Sequence, residues 1–169
     1  EDAVGYFDNA GTKQNLSVFM AADTKIGGTK SIAEEILLSE ENRKKAVEEI
    51  VAEYRTVYNK TGTTLYDGVT IDFEAMKGEA LKNGLKLFLK ELRSELGAET
   101  PLYVAVHPYV HNDLYYDAYD FKTIGEIADK IIVMAHDYYP KSLTETEIAL
   151  GVIDTPLTPI HQIYYALDK

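Results

Sequence analysis

Tyr66-Asp67-Gly68-Val69-Thr70-Ile71-Asp72-Phe73-Glu74 is the stretch on which the fold turns. Asp67-Gly68 reads as an entry turn, and the residues after it alternate as a β-strand does. Val69, Ile71 and Phe73 fall on one face, Thr70, Asp72 and Glu74 on the other. The first face is apolar and suited to pack beneath helices. The second carries a hydroxyl and two carboxylates in line, the last of them where the strand ends. Carboxylates at i and i+2 sit roughly 7 Å apart along a strand. Sharing a face, they share a field, and the charge on one favours a proton on the other. Such a pair suits general acid–base work near neutral pH. The plainer alternative is an edge strand with a solvated acidic face.

Three further segments read as buried strands: Leu16 to Ala21, Leu102 to His107 and Lys130 to His136, beside Gly68 to Phe73. Helical periodicity fills the gaps. Ser39 is an N-cap candidate, with Glu40 and Glu41 in the first turn. Val47, Ile50, Val51, Tyr54, Val57 and Tyr58 then form a stripe, stopped by Gly62. A second helix is expected from Gly78 to Leu96, with Gly97 as its C-terminal cap. A shorter one carries Phe121, Ile124, Ile127 and Ala128, and a last one begins near Pro159. Strand and helix in alternation imply a parallel sheet. An open doubly wound sheet and a (β/α)8 TIM barrel both fit, and polar residues on the inward faces of several strands favour the barrel. A whole barrel needs about 250 residues. With 169 residues, a first residue that is not Met and four strands, the chain reads as part of one.

The formal net charge of −11 argues against nucleic acid or an anionic membrane surface as partner and suits a neutral polysaccharide. No apolar run is long enough to insert in a membrane, and no signal peptide is seen. Cysteine is absent, which closes thiol and disulfide chemistry. Trp is absent too, so aromatic platforms for a sugar fall to the 13 tyrosines.

Barrel chemistry gathers where strands end. There the second strand brings Asp72 and Glu74, and the third brings Tyr103, Ala105 and His107. The fourth brings Ile132, Met134 and His136, followed by Asp137-Tyr138-Tyr139. A histidine at a strand end can be structural or catalytic. For His107, before Pro108, the structural reading is the simpler; for His136, beside Asp137, the two weigh equally. The loop from Pro108 to Asp120 holds four tyrosines and His111, and either lines a cleft or packs on the rim.

The segment Asp67 to Glu74 resembles the signature of glycoside hydrolase family 18, Asp-Gly-x-Asp-x-Asp-x-Glu on the fourth barrel strand. That family includes chitinases, endo-β-N-acetylglucosaminidases and spore peptidoglycan lysins. Val133-Met134-Ala135-His136-Asp137-Tyr138 is similar to its sixth-strand pattern Met-x-Tyr-Asp. Ser39 through Arg43 to Val51, and Tyr119 through Asp129, resemble the segments that lead into those strands. The likeness covers most of the chain, as strands three to six, so residues 1–169 are expected to be part of a family 18 catalytic domain. It implies a bacterial, secreted or cell-wall- or spore-associated retaining hydrolase of β-1,4-linked N-acetylglucosamine in chitin, peptidoglycan or N-glycans, with no cofactor and no metal. The substrate's own acetamido group would be the nucleophile. Glu74 would be the general acid and Asp72 the partner of the acetamido group. Asp137, His136, Tyr138, Met134, Thr70 and His107 would contact substrate.

The chain departs from the pattern at instructive places. Thr70 replaces the middle Asp and can exchange a hydrogen bond but carry no charge. His136 stands where the family has Tyr. Ser17-Val18-Phe19-Met20 matches the third-strand Ser-x-Gly-Gly only loosely, and the eighth-strand Trp has no counterpart here. Two other readings follow: a carbohydrate-binding module without catalysis, and a zinc or manganese hydrolase built on Asp72, Glu74, His107 and His136. An open half-barrel would expose two strand edges and an apolar interior, so self-association is expected of an isolated fragment.

Overall fold

The computed structural model describes residues 11–57, 62–108, 116–135, 144–151 and 160–168. Four strands, β1 (Asn15–Ala21), β2 (Gly68–Glu74), β3 (Leu102–Val106) and β4 (Lys130–Val133), form one sheet in the order β1-β2-β3-β4. Every neighbouring pair is parallel. Between β1 and β2 lie α1 (Ile32–Leu37) and α2 (Glu40–Tyr54). The next crossovers are α3 (Glu79–Leu96) and α4 (Phe121–Ile127), and α5 (Glu145–Ala149) and α6 (Ile160–Leu167) follow β4. This is the parallel α/β arrangement expected of part of a TIM barrel. Because β2 lies between β1 and β3, the edge-strand alternative for the acidic stretch is removed.

The core occupies one side of the sheet. Val69, Ile71 and Phe73 of β2 and Leu102, Val104 and Val106 of β3 are buried there. Over them pack Leu85, Phe88, Leu89 and Leu92, the stripe of α3, with Val47 and Val51 of α2 beside them. Phe73 and Phe88 meet with ring centroids 5.2 Å apart. Each such side chain contributes about 1.5–3 kcal/mol on removal from water. The opposite face is left open among the described residues: Phe19 of β1 is 61% exposed and Ile132 of β4 43%. No described helix is long and apolar enough to cross a membrane.

Local chemistry sets the helix ends. Ser31 and Glu34 form a capping box for α1, Glu34 N–H donating to Ser31 Oγ at 3.2 Å and Ser31 N–H to Glu34 Oε2 at 2.6 Å. Ser39 caps α2 as anticipated, accepting from Asn42 N–H at 3.2 Å. The stripe expected to run on to Val57 and Tyr58 stops sooner, at Tyr54. Thr56 N–H turns back to the Glu53 carbonyl, and Val57 pairs antiparallel with Thr64. Two β-branched residues in succession suit that extended pairing better than another helical turn; Tyr58 lies outside the described residues. The strand bounds shift as well. β3 stops at Val106, one residue before His107, and β4 stops at Val133 rather than reaching His136. One more bond, Met134 N–H to the Val106 carbonyl at 2.9 Å, carries the ladder past β4.

Two arginines tie the layers. Buried Arg43 of α2 donates to the Leu37 carbonyl at the end of α1 and to Glu91 Oε1 of α3. Arg93, in the last turn of α3, donates to the carbonyls of Gly97, Thr100 and Ile127 and to Asp129 Oδ2. That same Asp129 oxygen accepts Leu102 N–H at 2.8 Å. One carboxylate therefore pins the start of β3 beside the start of β4.

Close approach of helices gives a sign reversal. A Cβ on Gly84 of α3 would lie 2.9 Å from both the Cβ and the carbonyl oxygen of buried Leu37. In an open helix, Ala is favoured over Gly by about 1 kcal/mol. Gly84→Ala is expected instead to cost about 1–3 kcal/mol by overpacking, read as a lower urea midpoint; an unchanged or higher midpoint would contradict this packing. The Leu102 N–H, and then the Arg93 guanidinium, hold the Asp129 carboxyl below its ordinary value. A carboxyl lowered by folding stabilises above its unfolded value, about 4, and the contribution disappears as pH falls through the folded value. Asp129→Asn should lower stability at pH 7 and flatten its loss below about pH 4. Parallel urea titrations at the two pH values check this, and an acid sensitivity equal to that of the wild type would refute it.

Candidate active site at the strand ends

Parallel register places the functional face. Thr70 lies between Ser17 and Tyr103, Asp72 between Phe19 and Ala105, and Glu74 opposite Ala21. Thr70, Asp72 and Glu74 are half-buried while Val69, Ile71 and Phe73 between them are buried, so the carboxylates face away from the helices. Thr70 Oγ1 accepts a hydrogen bond from Asn15 Nδ2 at 3.2 Å. Asp72 Oδ1 is buried and has no hydrogen-bond partner among the described residues. Leaving a buried acceptor unserved costs about 1–3 kcal/mol, and such an atom in a native fold calls for an explanation.

Glu74 is the last residue of β2, and the backbone turns sharply after it. Ala75 has φ 58°, in the left-handed region, at a cost of about 1–2 kcal/mol for a residue with a Cβ. Several contacts fix that turn. Ala75 N–H donates to His107 Nε2 at 3.4 Å. The His107 ring stacks on Tyr116, centroids 4.0 Å apart and planes 16° apart. Buried Tyr119 donates its hydroxyl to the Phe73 carbonyl. Gly78 N–H, at the start of α3, donates to Asp117 Oδ1 at 2.6 Å. Burial chiefly, with the charges of Glu74 and Asp72 adding to it, pushes the Tyr119 hydroxyl far above its usual value. It therefore remains a donor at any physiological pH.

Thr70, Asp72 and Glu74 thus share one face of β2, and His107 lies past the end of β3 against the Ala75 amide. Met134 is buried just past β4. His136, Asp137 and Tyr138 lie outside the described residues, as do Tyr109, His111 and Tyr115 of the tyrosine-rich loop. Of that loop, Tyr116 and Tyr119 pack against His107, on the rim. Ala75 and Tyr119 were not anticipated as site residues. Nothing in an alanine's identity signals a positive φ. Tyr119, three residues after Tyr116, shows in sequence only as one tyrosine among several. Among the described residues no three His, Asp or Glu side chains are grouped to hold a metal ion.

The sequence profile of glycosyl hydrolases family 18 matches residues 4–161. The chain belongs to glycoside hydrolase family 18. Solved family 18-like structures superimpose on nearly all of it. A class V chitinase from Pseudomonas fluorescens Pf-5 aligns with TM-score 0.73 and 19% identity, over 98% of this chain and 48% of that one. The spore cortex-lytic enzyme SleL of Bacillus cereus aligns with TM-score 0.70 and 18% identity, over 98% of this chain and 34% of that one. A chitinase from Chromobacterium violaceum gives TM-score 0.66 and 18% identity, over 99% and 48%. The chain therefore spans between a third and a half of the length of these structures, and at such identity the likeness is one of fold. No curated protein sequence matches the chain.

The unserved Asp72 oxygen makes a prediction for this family 18 segment whose sign is unusual for a change in a buried strand. Asp72→Asn exchanges the carboxylate for a neutral amide of the same shape. It is expected to leave the fold as stable as wild type or more so, by up to about 1 kcal/mol. Thermal unfolding of the full-length protein checks it, and a loss beyond about 1 kcal/mol would mean that folding itself depends on the carboxylate.

Proposed function

We propose that this segment carries the acid–base centre of a retaining glycosidase acting on β-1,4-linked N-acetylglucosamine polymers by substrate-assisted catalysis. The observation that carries the reading is the buried Asp72 oxygen with no donor among the described residues, on the same face as, and two residues before, the half-buried Glu74. A 2-acetamido N–H is a donor of the kind that oxygen lacks. Accepting it would turn the acetamido oxygen toward the anomeric carbon and oppose the positive charge that develops on the ring. Glu74, protonated, gives its proton to the glycosidic oxygen as the bond to the anomeric carbon breaks. The acetamido oxygen forms the new bond, and an oxazolinium ion results. Glu74, now a carboxylate, removes a proton from water as the water attacks the same carbon, the bond from that carbon to the acetamido oxygen breaks to restore the acetamido group, and the configuration is retained. The step uses no protein nucleophile and no metal. Thr70, His107, Met134, His136, Asp137 and Tyr138 are assigned to the substrate cleft around this pair.

Residues 1–169 would form part of the catalytic domain, with further strands of a barrel covering Phe19 and Ile132; without them, a second copy would have to cover the same face. Family membership and the chitinase and spore cortex-lytic likenesses favour chitin or peptidoglycan as substrate and a place outside the cytoplasm or in the spore. A carbohydrate-binding protein without turnover is the second reading. It is favoured by Thr70, whose hydroxyl is engaged by Asn15 where the family pattern has a carboxylate.

Chitooligosaccharides and a peptidoglycan digest, incubated with the full-length protein and analysed by mass spectrometry, separate the two readings. Cleavage is expected from the wild type, and Glu74→Gln should lower turnover by about a hundredfold or more, the scale of a lost general acid. Binding of intact oligosaccharide with no product at any pH would sink the hydrolase and leave the binding protein.

A further inference from the structure

An acid that must first give a proton and then take one has to keep its place between the two steps, so the backbone carrying it matters as much as the carboxyl group. The β2–β3 pairing ends at Asp72 and Ala105. The Phe73 carbonyl lies beyond that last pair, and the hydroxyl of buried Tyr119 serves it. On the far side of Glu74, the Ala75 amide is held by His107 Nε2. His107 is in turn stacked on Tyr116 and lies 6.0 Å, centroid to centroid, from Tyr119. The residue before Glu74 and the residue after it are thus both fastened by the segment that follows β3. Just past the second of these contacts Ala75 adopts a left-handed backbone that an L-residue avoids unless its surroundings impose it.

We propose that Tyr119 and His107 are positioning residues for Glu74: by bonding the peptide groups on either side, they impose the left-handed turn at Ala75 and hold the Glu74 carboxyl on the face it shares with Asp72. The proposal rests on the reading of Glu74 as the acid. Neither residue needs to touch substrate for this role. Tyr119 contributes through its hydroxyl, which is why a Phe at that position would fill the same space without doing the same work. The nearest alternative is that these contacts only anchor the loop, leaving the Glu74 geometry to the strand.

Tyr119→Phe, Ala75→Gly and Glu74→Gln in the full-length protein distinguish these. For each variant kcat, KM, the pH profile of kcat and the melting temperature are measured on whichever oligosaccharide the wild type cleaves. The expected result is a fall in kcat of about tenfold for Tyr119→Phe and for Ala75→Gly, the scale of a small misplacement of a reacting group. KM should stay within about twofold and the limb of the pH profile that Glu74 sets should move. Ala75→Gly should melt at or above the wild-type temperature, because glycine accepts the left-handed turn without strain. A merely structural role predicts the same stability for that variant but an unchanged kcat. It therefore decides the question even if Tyr119→Phe fails to fold. Wild-type kcat and a superimposable pH profile in Ala75→Gly, with Glu74→Gln inactive, overturn the positioning role alone. Undiminished turnover by Glu74→Gln, or none by the wild type, overturns the acid assignment and this proposal with it.

Discussion

Parallel pairing of β2 with a neighbour on each side is the constraint from which the rest follows. The two ladders fix Asp72 opposite Phe19 on one side and Ala105 on the other. A slip of one residue would turn Asp72 and Glu74 into the packed layer under α3 and expose Val69, Ile71 and Phe73 in their place. Burying two carboxylates against Phe88 and Leu89 would cost far more than any other pairing could return. The apolar alternation that builds the core therefore also aims the chemistry. Arg93 and Asp129 reinforce the same register from below, by pinning the starts of β3 and β4 at the foot of the sheet.

Elements governed by periodicity could be read from the residues, and those governed by long-range contacts could not. The α3 stripe and its Gly97 cap, the Ser39 cap and the four strands all follow from local pattern, and the structure has them. α1 was legible but unread. Ser31 and Glu34 stand at capping-box spacing, yet only six residues follow, too few for a periodic stripe to show. The early end of α2 was not legible, because the pairing that competes for Val57 comes from Thr64, beyond the expected stop. On β2, the shared face of Asp72 and Glu74 was plain from alternation. The fastening of Glu74 was not, since it joins residues 32 to 46 positions apart and acts on backbone groups, which any residue type possesses.

The two faces of the sheet are unequal, and the inequality bears on what the segment is. The helix-facing side is closed and well packed, whereas the carboxylate side displays Phe19 and Ile132 beside Asp72. Large apolar side chains on a single face are a recognised mark of a surface that something covers. A closed barrel would surround them and at the same time remove the exposed edges of β1 and β4. Covering would also lower the local dielectric around Asp72 and Glu74, strengthening each electrostatic interaction they make.

Thr70 shows how a departure from the family pattern can be absorbed. A carboxylate at that position would stand between Asn15 and Asp72 on the same face and could share a proton with Asp72. The hydroxyl present instead accepts from the Asn15 amide, so the position contributes a neutral hydrogen-bonded link to β1. What changes is the charge balance of the row, from three potential carboxylates to two. Asp72 is then relieved of a like-charged neighbour below it, while Glu74 above is its remaining one. Thr70 thus changes the charge of the row and ties it to β1, while both Asp72 and Glu74 remain on the shared face.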